Sequence, residues 1–260
     1  MGEFFRVCAP FYDADYAALN YDADTPFYVE MARESGGPVL EMGCGTGRVL
    51  LPVARAGIRI HGVDLSPDML EQLGRKLEAE PAEVRERVSF SEGDIRTVDA
   101  DGEFALVTAP FRVVQVLLTR EDQRAWLRNV RRHLRPGGAL CFDVFQPNFR
   151  YLVEPRGPSV DVDRTDPATG RRIRRFACTV PHNERQTITV EFQWVIEDAS
   201  GTSETGGAIE LRWFTRGELE SLLELEGFQI TDYWGTFQRE PFGEGSPDQV
   251  IRAVVRGGAG

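Results

Sequence analysis

The stretch GPVLEMGCGTGRVLLPVARAGIRIHGVDLSPDML, Gly37 to Leu70, constrains the fold more than any other part of the chain. An apolar run enters a loop with glycines at 43, 45 and 47, a helix-like segment follows, and a second apolar run ends at Asp64. Strand, glycine loop, helix and strand in that order open a nucleotide-type cofactor site on a parallel sheet, where ligands collect beyond the carboxyl ends of the strands. The spacing is G-x-G-x-G, whereas a dinucleotide fingerprint is G-x-G-x-x-G. Glu41, two residues before the first glycine, would repel a pyrophosphate but suits a ligand end that carries an ammonium group. Asp64 lies 17 residues beyond Gly47, where a carboxylate can accept from both hydroxyls of a ribose.

The alternation continues. After "IRIHGVD" comes a helix opened by Ser66 and Pro67, with Met69, Leu70 and Leu73 as its apolar stripe. "RVSFSEGD" and "FALVTAP" read as strands three and four, Thr119 to Leu134 as a helix, and "GGALCFDVF" as strand five. This pattern predicts a parallel sheet with helices on both faces. Then the period changes to two. "RRIRRFACTV", "RQTITVEFQWVI" and "GAIELRW" predict three antiparallel strands, with Ile188, Val190, Phe192, Trp194 and Ile196 on one face, and Ile209, Leu211 and Trp213 repeating the pattern. Thr215 and Glu218 predict a capping box for a last helix, followed by two strands close enough to form an antiparallel closing hairpin.

At the cofactor residues the sequence resembles the class I S-adenosylmethionine-dependent methyltransferases. "VLEMGCGTG", "GVDLSPDML", "EGDI" and "LRPGGAL" resemble four of that family's motifs in their proper order. The resemblance implies a Rossmann-like α/β fold, a seven-stranded sheet ending in the antiparallel hairpin, here with an antiparallel β insert after strand five. It divides the chain into an N-terminal helical lid (1–36), a cofactor-binding core (37–150), the insert (151–214) and a closing helix and hairpin (215–260). It implies S-adenosyl-L-methionine as cofactor and S-adenosyl-L-homocysteine as product. Glu41 then holds the methionine amino group, the loop Gly43, Cys44, Gly45 and Gly47 contacts the cofactor, Asp64 takes the ribose, and Asp94 with Ile95 takes the adenine. Leu65 and Met69 offer an apolar face to the base, although Met69 fits the helix stripe equally well. Ala109 and Phe111, at the end of strand four, complete the cofactor set.

Methyl transfer from a sulfonium is an in-line displacement, so the acceptor atom must be held about 3 Å from the methyl carbon with water excluded. Candidates come from segments that can cover the strand ends. "FYDADYAALNYDADTPFY" resembles the tyrosine-bearing lid of sugar-amine N-methyltransferases and glycine N-methyltransferase, which singles out Tyr12 and Tyr16 for the acceptor and Tyr21 for the cofactor. In "TAPFRVVQVLL", Arg112 suits a substrate carboxylate or a structural role, and Gln115 sits one helical turn beyond Phe111. Phe145, His182, Arg212 and Trp213 are candidates for acceptor binding at the strand-five end and in the insert. The other histidines read as structural, His61 within a strand and His133 on a solvated helix face. "RRIRR" reads as charge guarding an exposed sheet edge.

The 260 residues carry a net charge of −11, which disfavours a polyanionic partner because no excess of Lys or Arg is available to displace counterions. Cys8, Cys44, Cys141 and Cys178 show neither metal nor disulfide spacing, and no run approaches the roughly 18 apolar residues of a membrane span. The sequence therefore predicts a cytoplasmic methyltransferase for a small-molecule acceptor, with no metal, no nucleic acid and no membrane, and with the insert serving as lid or homodimer element. Nitrogen is favoured over oxygen because no base or metal constellation appears. The alternatives are an RNA or protein methyltransferase, or a catalytically silent cofactor-binding regulatory subunit.

Overall fold

The computed structural model describes residues 2–19, 21–149, 152 and 155–257. Helices α1 (Gly2–Cys8), α2 (Tyr12–Ala18) and α3 (Asp24–Ser35) precede β1 (Val39–Met42), α4 (Leu50–Arg55), β2 (Ile60–Asp64), α5 (Pro67–Glu78), α6 (Ala82–Arg85), β3 (Val88–Glu92) and β4 (Phe104–Ala109). A 3₁₀ turn, Val113–Val116, and α7 (Arg120–His133) lead to β5 (Leu134–Phe145). Four strands follow, β6 (Arg156–Thr165), β7 (Arg172–His182), β8 (Thr187–Asp198) and β9 (Gly201–Arg212), then α8 (Arg216–Leu225), β10 (Phe228–Trp234) and β11 (Asp248–Val255).

Among the described residues the main sheet has seven strands in the order β10-β11-β5-β4-β1-β2-β3. β1 to β5 pair in parallel, while β11 runs antiparallel to β5 and β10 antiparallel to β11, the closing hairpin the sequence predicts. β1 and β4 are buried throughout, as continuous apolar runs in the middle of a two-sided sheet must be. Chain order reverses between β1 and β4, so the crevice for a ligand opens at their carboxyl ends. The Ser66 hydroxyl caps α5 by accepting from Met69 N–H at 3.4 Å, and Thr119 caps α7 by accepting from Asp122 N–H at 3.1 Å.

The second sheet corrects the sequence reading: among the described residues it has four antiparallel strands, β6-β7-β8-β9, not three. β6 escapes periodicity because it is an edge strand exposed on both sides, with Val162 as its buried anchor. β7 is consequently an inner strand, and its arginines do not guard an edge. Arg172 pairs with Asp163 at 2.7 Å, Arg174 with Glu197, and the buried Arg175 with Asp161 at 2.8 Å. The apolar face of this sheet is covered by the N-terminal helices, where Phe4 lies 5.7 Å from Phe192 and Phe11 stacks on Trp194 at 5.4 Å between ring centres.

Two further expectations fail for tertiary reasons. Thr215 makes no side-chain cap, and the Glu218 carboxylate of the expected box is taken by Arg212 at 2.6 Å and Gln186 at 3.0 Å. His133 is buried rather than solvated: its Nε2 accepts from Ala100 N–H at 3.0 Å, which leaves the proton on Nδ1 to donate to Asn129 O at 2.8 Å. His61 sits in its strand between the hydroxyls of Ser89 and Ser91.

Candidate active site

A cavity of ≈ 480 Å³ lies beyond the carboxyl ends of β1, β2 and β3, with a roof from α1, α2, β8 and β9. Its floor begins at the glycine loop. Gly43 and Gly47 have φ of 77° and 80°, and a side chain on either would drive into Val113 or Leu73. Gly43 and Cys44 both donate their N–H to Val63 O, which fixes the loop across the end of β2. Glu41, at 2 % exposure, faces this cavity with its Oε2 buried and without a partner among the described residues. Burial pushes its carboxyl up to about 8, against the pull of the Arg48 guanidinium. An orphaned carboxylate on a ligand-sized cavity fits a cation supplied from outside the chain.

Asp64 is held rigidly from behind. Its Oδ2 accepts from Gly45 N–H at 2.8 Å and its Oδ1 from Ser66 N–H at 2.9 Å, which fixes the carboxylate on the cavity wall. Burial raises its pKa, opposed by those backbone donors. Leu65, Met69, Cys44 and Ile95 line the same wall. Asp94 lines it too, but its carboxylate is gripped by Arg96, which donates from Nε to Oδ1 at 2.9 Å and from Nη2 to Oδ2 at 2.5 Å, and holds the carboxyl below its usual range. Arg96 also reaches Asp122.

On the opposite side the chain leaves β4 through two consecutive left-handed residues, Phe111 at φ 58° and Arg112 at φ 68°. Asp143, buried on β5, accepts both of their N–H groups at 2.8 and 3.2 Å, as well as the Tyr28 hydroxyl at 2.7 Å. Burial pushes its carboxyl up to about 6, against the Tyr28 hydrogen bond. Tyr12 and Tyr16 stand on the cavity wall with ring centres 4.6 Å apart, and neither hydroxyl has a hydrogen-bond partner among the described residues. Burial raises both phenol pKa values, so both are protonated, neutral donors near pH 7.

The cavity thus brings together Tyr12, Tyr16, Glu41, Gly43, Cys44, Gly45, Asp64, Leu65, Met69, Asp94, Ile95, Phe111 and Arg112. The other sequence candidates lie off its wall. Gly47 and Ala109 sit behind it, and Tyr21, 47 % exposed, accepts from Arg112 Nη2 at 3.4 Å outside it. Gln115 faces away: its Nε2 donates to Arg212 O at 2.8 Å and its Oε1 accepts from Phe145 N–H at 3.0 Å, tying the 3₁₀ turn to the ends of β9 and β5. The His182 ring bonds Thr189 at 2.9 Å on the second sheet, Arg212 is committed to Glu218, and Trp213 packs edge-on to Phe149. Among the described residues no group of three metal-ligating side chains occurs, and no helix is long and apolar enough to cross a membrane.

Sequence reasoning missed Arg48, which lines the cavity, donates twice to Asp24 at 2.6 Å and lies 4.7 Å over the Phe111 ring. It also missed a clasp over the glycine loop, in which Asp13 of α2 accepts from the Thr46 hydroxyl at 2.6 Å and from Lys76 Nζ at 2.7 Å. The only sequence signal for either is polarity next to the "GTGR" loop.

The order of strands, the antiparallel hairpin and a site beyond the carboxyl ends define a class I methyltransferase fold. Residues 39–138 match the methyltransferase domain family. The putative methyltransferase YqeM of Bacillus subtilis (strain 168) is 30% identical over 227 residues, 87% of either chain. The cypemycin N-terminal methyltransferase of a Streptomyces species is 27% identical over 241 residues, 92% of each chain. The solved structure of CalS10 with bound S-adenosylmethionine, described as an amino pentose methyltransferase of Micromonospora echinaspora, superposes with a TM-score of 0.70 at 24% identity, covering 95% of this chain and 96% of that one. The chain belongs to the S-adenosylmethionine-dependent methyltransferases. The unpartnered Oε2 of Glu41 and the fixed Asp64 carboxylate on the cavity wall fit the ammonium and ribose of that cofactor.

Proposed function

We propose that this enzyme methylates a nitrogen of a small-molecule acceptor held between the cofactor floor and the roof of α1, α2, β8 and β9. The roof supports the small-molecule part of this reading, because α1, α2, β8 and β9 overhang the strand ends and leave a cavity of ≈ 480 Å³. When bound, the cofactor supplies an electrophilic methyl group on a sulfonium. Glu41 takes the cofactor's ammonium, Asp64 its ribose hydroxyls, and Ile95, Leu65 and Met69 flank the base. Tyr12 and Tyr16 are neutral donors facing the acceptor end, suited to orienting a nucleophile rather than to removing its proton. A nitrogen arriving with its own lone pair needs no more, and two of the similar proteins are named for amine-type acceptors, an N-terminus and an amino pentose.

Residues 1–36 act as the lid in this reading, and 151–214 complete it. A second copy pairing along β9, an edge strand among the described residues, makes a homodimer, to be read by light scattering in solution. Cysteines unpaired among the described residues suit a cytoplasmic enzyme. The test is calorimetric titration with S-adenosylhomocysteine, followed by mass-spectrometric detection of methyl transfer to an amine panel. S-adenosylhomocysteine binding together with methylated amines supports the function; failure to bind overturns it.

A further inference from the structure

The acceptor half of the cavity has a chemistry of its own. Its roof presents Val190 and Phe192 from β8, Ile209 and Leu211 from β9, and Phe4 and Phe5 from α1. Val190 and Ile209 are cross-strand partners, as are Ile188 and Leu211, so the alternation of the two strands aims an unbroken apolar patch at the cavity. The segment after β4 adds apolar lining from Val113, which lies against Gly43 of the floor, and from Val116 and Leu117.

Of the arginines on the cavity wall, Arg48 and Arg96 are held in ion pairs, and Arg112 rests on aromatic rings. Arg48 is bonded through two nitrogens to Asp24, and Arg96 spans Asp94 and Asp122. Arg112 lies over the rings of Tyr21, Phe111 and Phe145 at 5.5–5.7 Å from their centres and faces Asp248 electrostatically. A diphosphate placed here would lose water against methyl and phenyl surface and, among the described residues, would meet a single arginine outside an ion pair, Arg112, in place of a cation pair.

We infer that the acceptor is an amine borne on an uncharged hydrophobic body, seated between the inner face of β8 and β9 and the Val113–Leu117 segment, and not a nucleotide-linked sugar. This rests on the small-molecule N-methylation proposed above. An apolar enclosure also answers the missing base, because desolvation favours the neutral amine over the ammonium. The neutral nitrogen uses its lone pair to form the N–C bond while the donor's C–S bond breaks with its electron pair to sulfur. The extra proton of the methylated ammonium passes to water on release.

The experiment supplies the purified protein with S-adenosylmethionine and four probes: phenethylamine, cyclohexylamine, glycine and a thymidine-diphosphate amino sugar. S-adenosylhomocysteine affinity is measured in parallel. The two apolar amines are expected to be methylated with kcat/KM at least about tenfold above the other two, the discrimination that a few methylene groups give. Ile209→Thr keeps β-branching, so it should raise KM for cyclohexylamine about tenfold while S-adenosylhomocysteine affinity stays at the wild-type value. Preference for the nucleotide sugar, turnover of neither apolar amine by protein that binds S-adenosylhomocysteine, or an unchanged KM in Ile209→Thr overturns the inference and leaves the methyltransferase assignment standing. Loss of S-adenosylhomocysteine binding in the wild-type protein would instead overturn the cofactor reading.

Discussion

The Tyr28 hydroxyl on α3 donates to the Asp143 carboxylate on β5 at 2.7 Å, 115 residues away in sequence. That carboxylate also holds the N–H groups of Phe111 and Arg112, so an N-terminal helix, the central sheet and the left-handed loop over the cavity share one buried group. Tyr28→Phe should cost about 1.5–3 kcal/mol, the value of a hydrogen bond to a charged acceptor, read from urea unfolding. Wild-type stability in that variant would mean that the loop holds its shape without the hydroxyl.

Glu41 gives a pH signature. Its ordinary value is 4.5 and burial pushes it to about 8, so the folded chain without cofactor keeps a proton there that the unfolded chain releases. The stabilising contribution is complete below 4.5 and is lost as pH rises through about 8. Glu41→Gln should flatten this slope in urea midpoints and weaken S-adenosylhomocysteine binding by tenfold or more, roughly the value of one charge-assisted bond. In the wild-type protein, binding near pH 7 should release a proton, seen as a binding enthalpy that depends on the ionisation heat of the buffer. An enthalpy independent of buffer would count against the ammonium role.

Asp64→Ala should weaken S-adenosylhomocysteine affinity by about 1.5–3 kcal/mol, roughly 10- to 150-fold. Because Gly45 and Ser66 lose their acceptor as well, Asp64→Asn is the useful companion. It keeps one carbonyl oxygen and should fall between wild type and alanine. Unchanged affinity in both variants would remove Asp64 from the ribose site.

Tyr12→Phe and Tyr16→Phe separate two roles. A hydroxyl that orients the acceptor should lower kcat in the phenylalanine variant with little change in S-adenosylhomocysteine affinity, and one that touches the cofactor should lower that affinity. A variant with wild-type values for both would leave its tyrosine a packing residue.

Asp15, fully buried, accepts from Trp194 Nε1 at 2.7 Å and Arg164 Nε at 2.8 Å, with Arg175 at 3.5 Å. Asp15→Ala strands those donors, and should destabilise the protein by about 3–5 kcal/mol with early loss of hydrogen-exchange protection in β6 to β8. Protection that falls uniformly over both sheets would show that the roof is not a separate unit.

What could be read beforehand was local. β1 to β5, α5 and α7 follow from period and caps, and the places of Glu41 and Asp64 on the cavity wall from strand ends beside a glycine loop. Gln115 shows why the rest was hidden. Counting one α-helical turn from Phe111 aims it at the site, but Phe111 and Arg112 are left-handed and the next turn is 3₁₀, so the count of 3.6 fails. Arg48 and Arg96 became visible only when Asp24 and Asp122 came beside them, 24 and 26 residues away. β6 lacks a pattern because it is an edge strand exposed on both sides, with Val162 as its buried residue.

The partners of Asp15 have a consequence for how this chain is made. Residues 2–18 are made well before their partners: the tryptophan and the two arginines that satisfy Asp15 lie about 150 to 180 residues further along the chain. Until Trp194 emerges, α2 carries a carboxylate that must stay in water, and Phe4 and Phe11 have no sheet to cover. Helices α1 and α2 are therefore made early but dock late, and a chain arrested before β8 would display its cofactor floor without a ceiling.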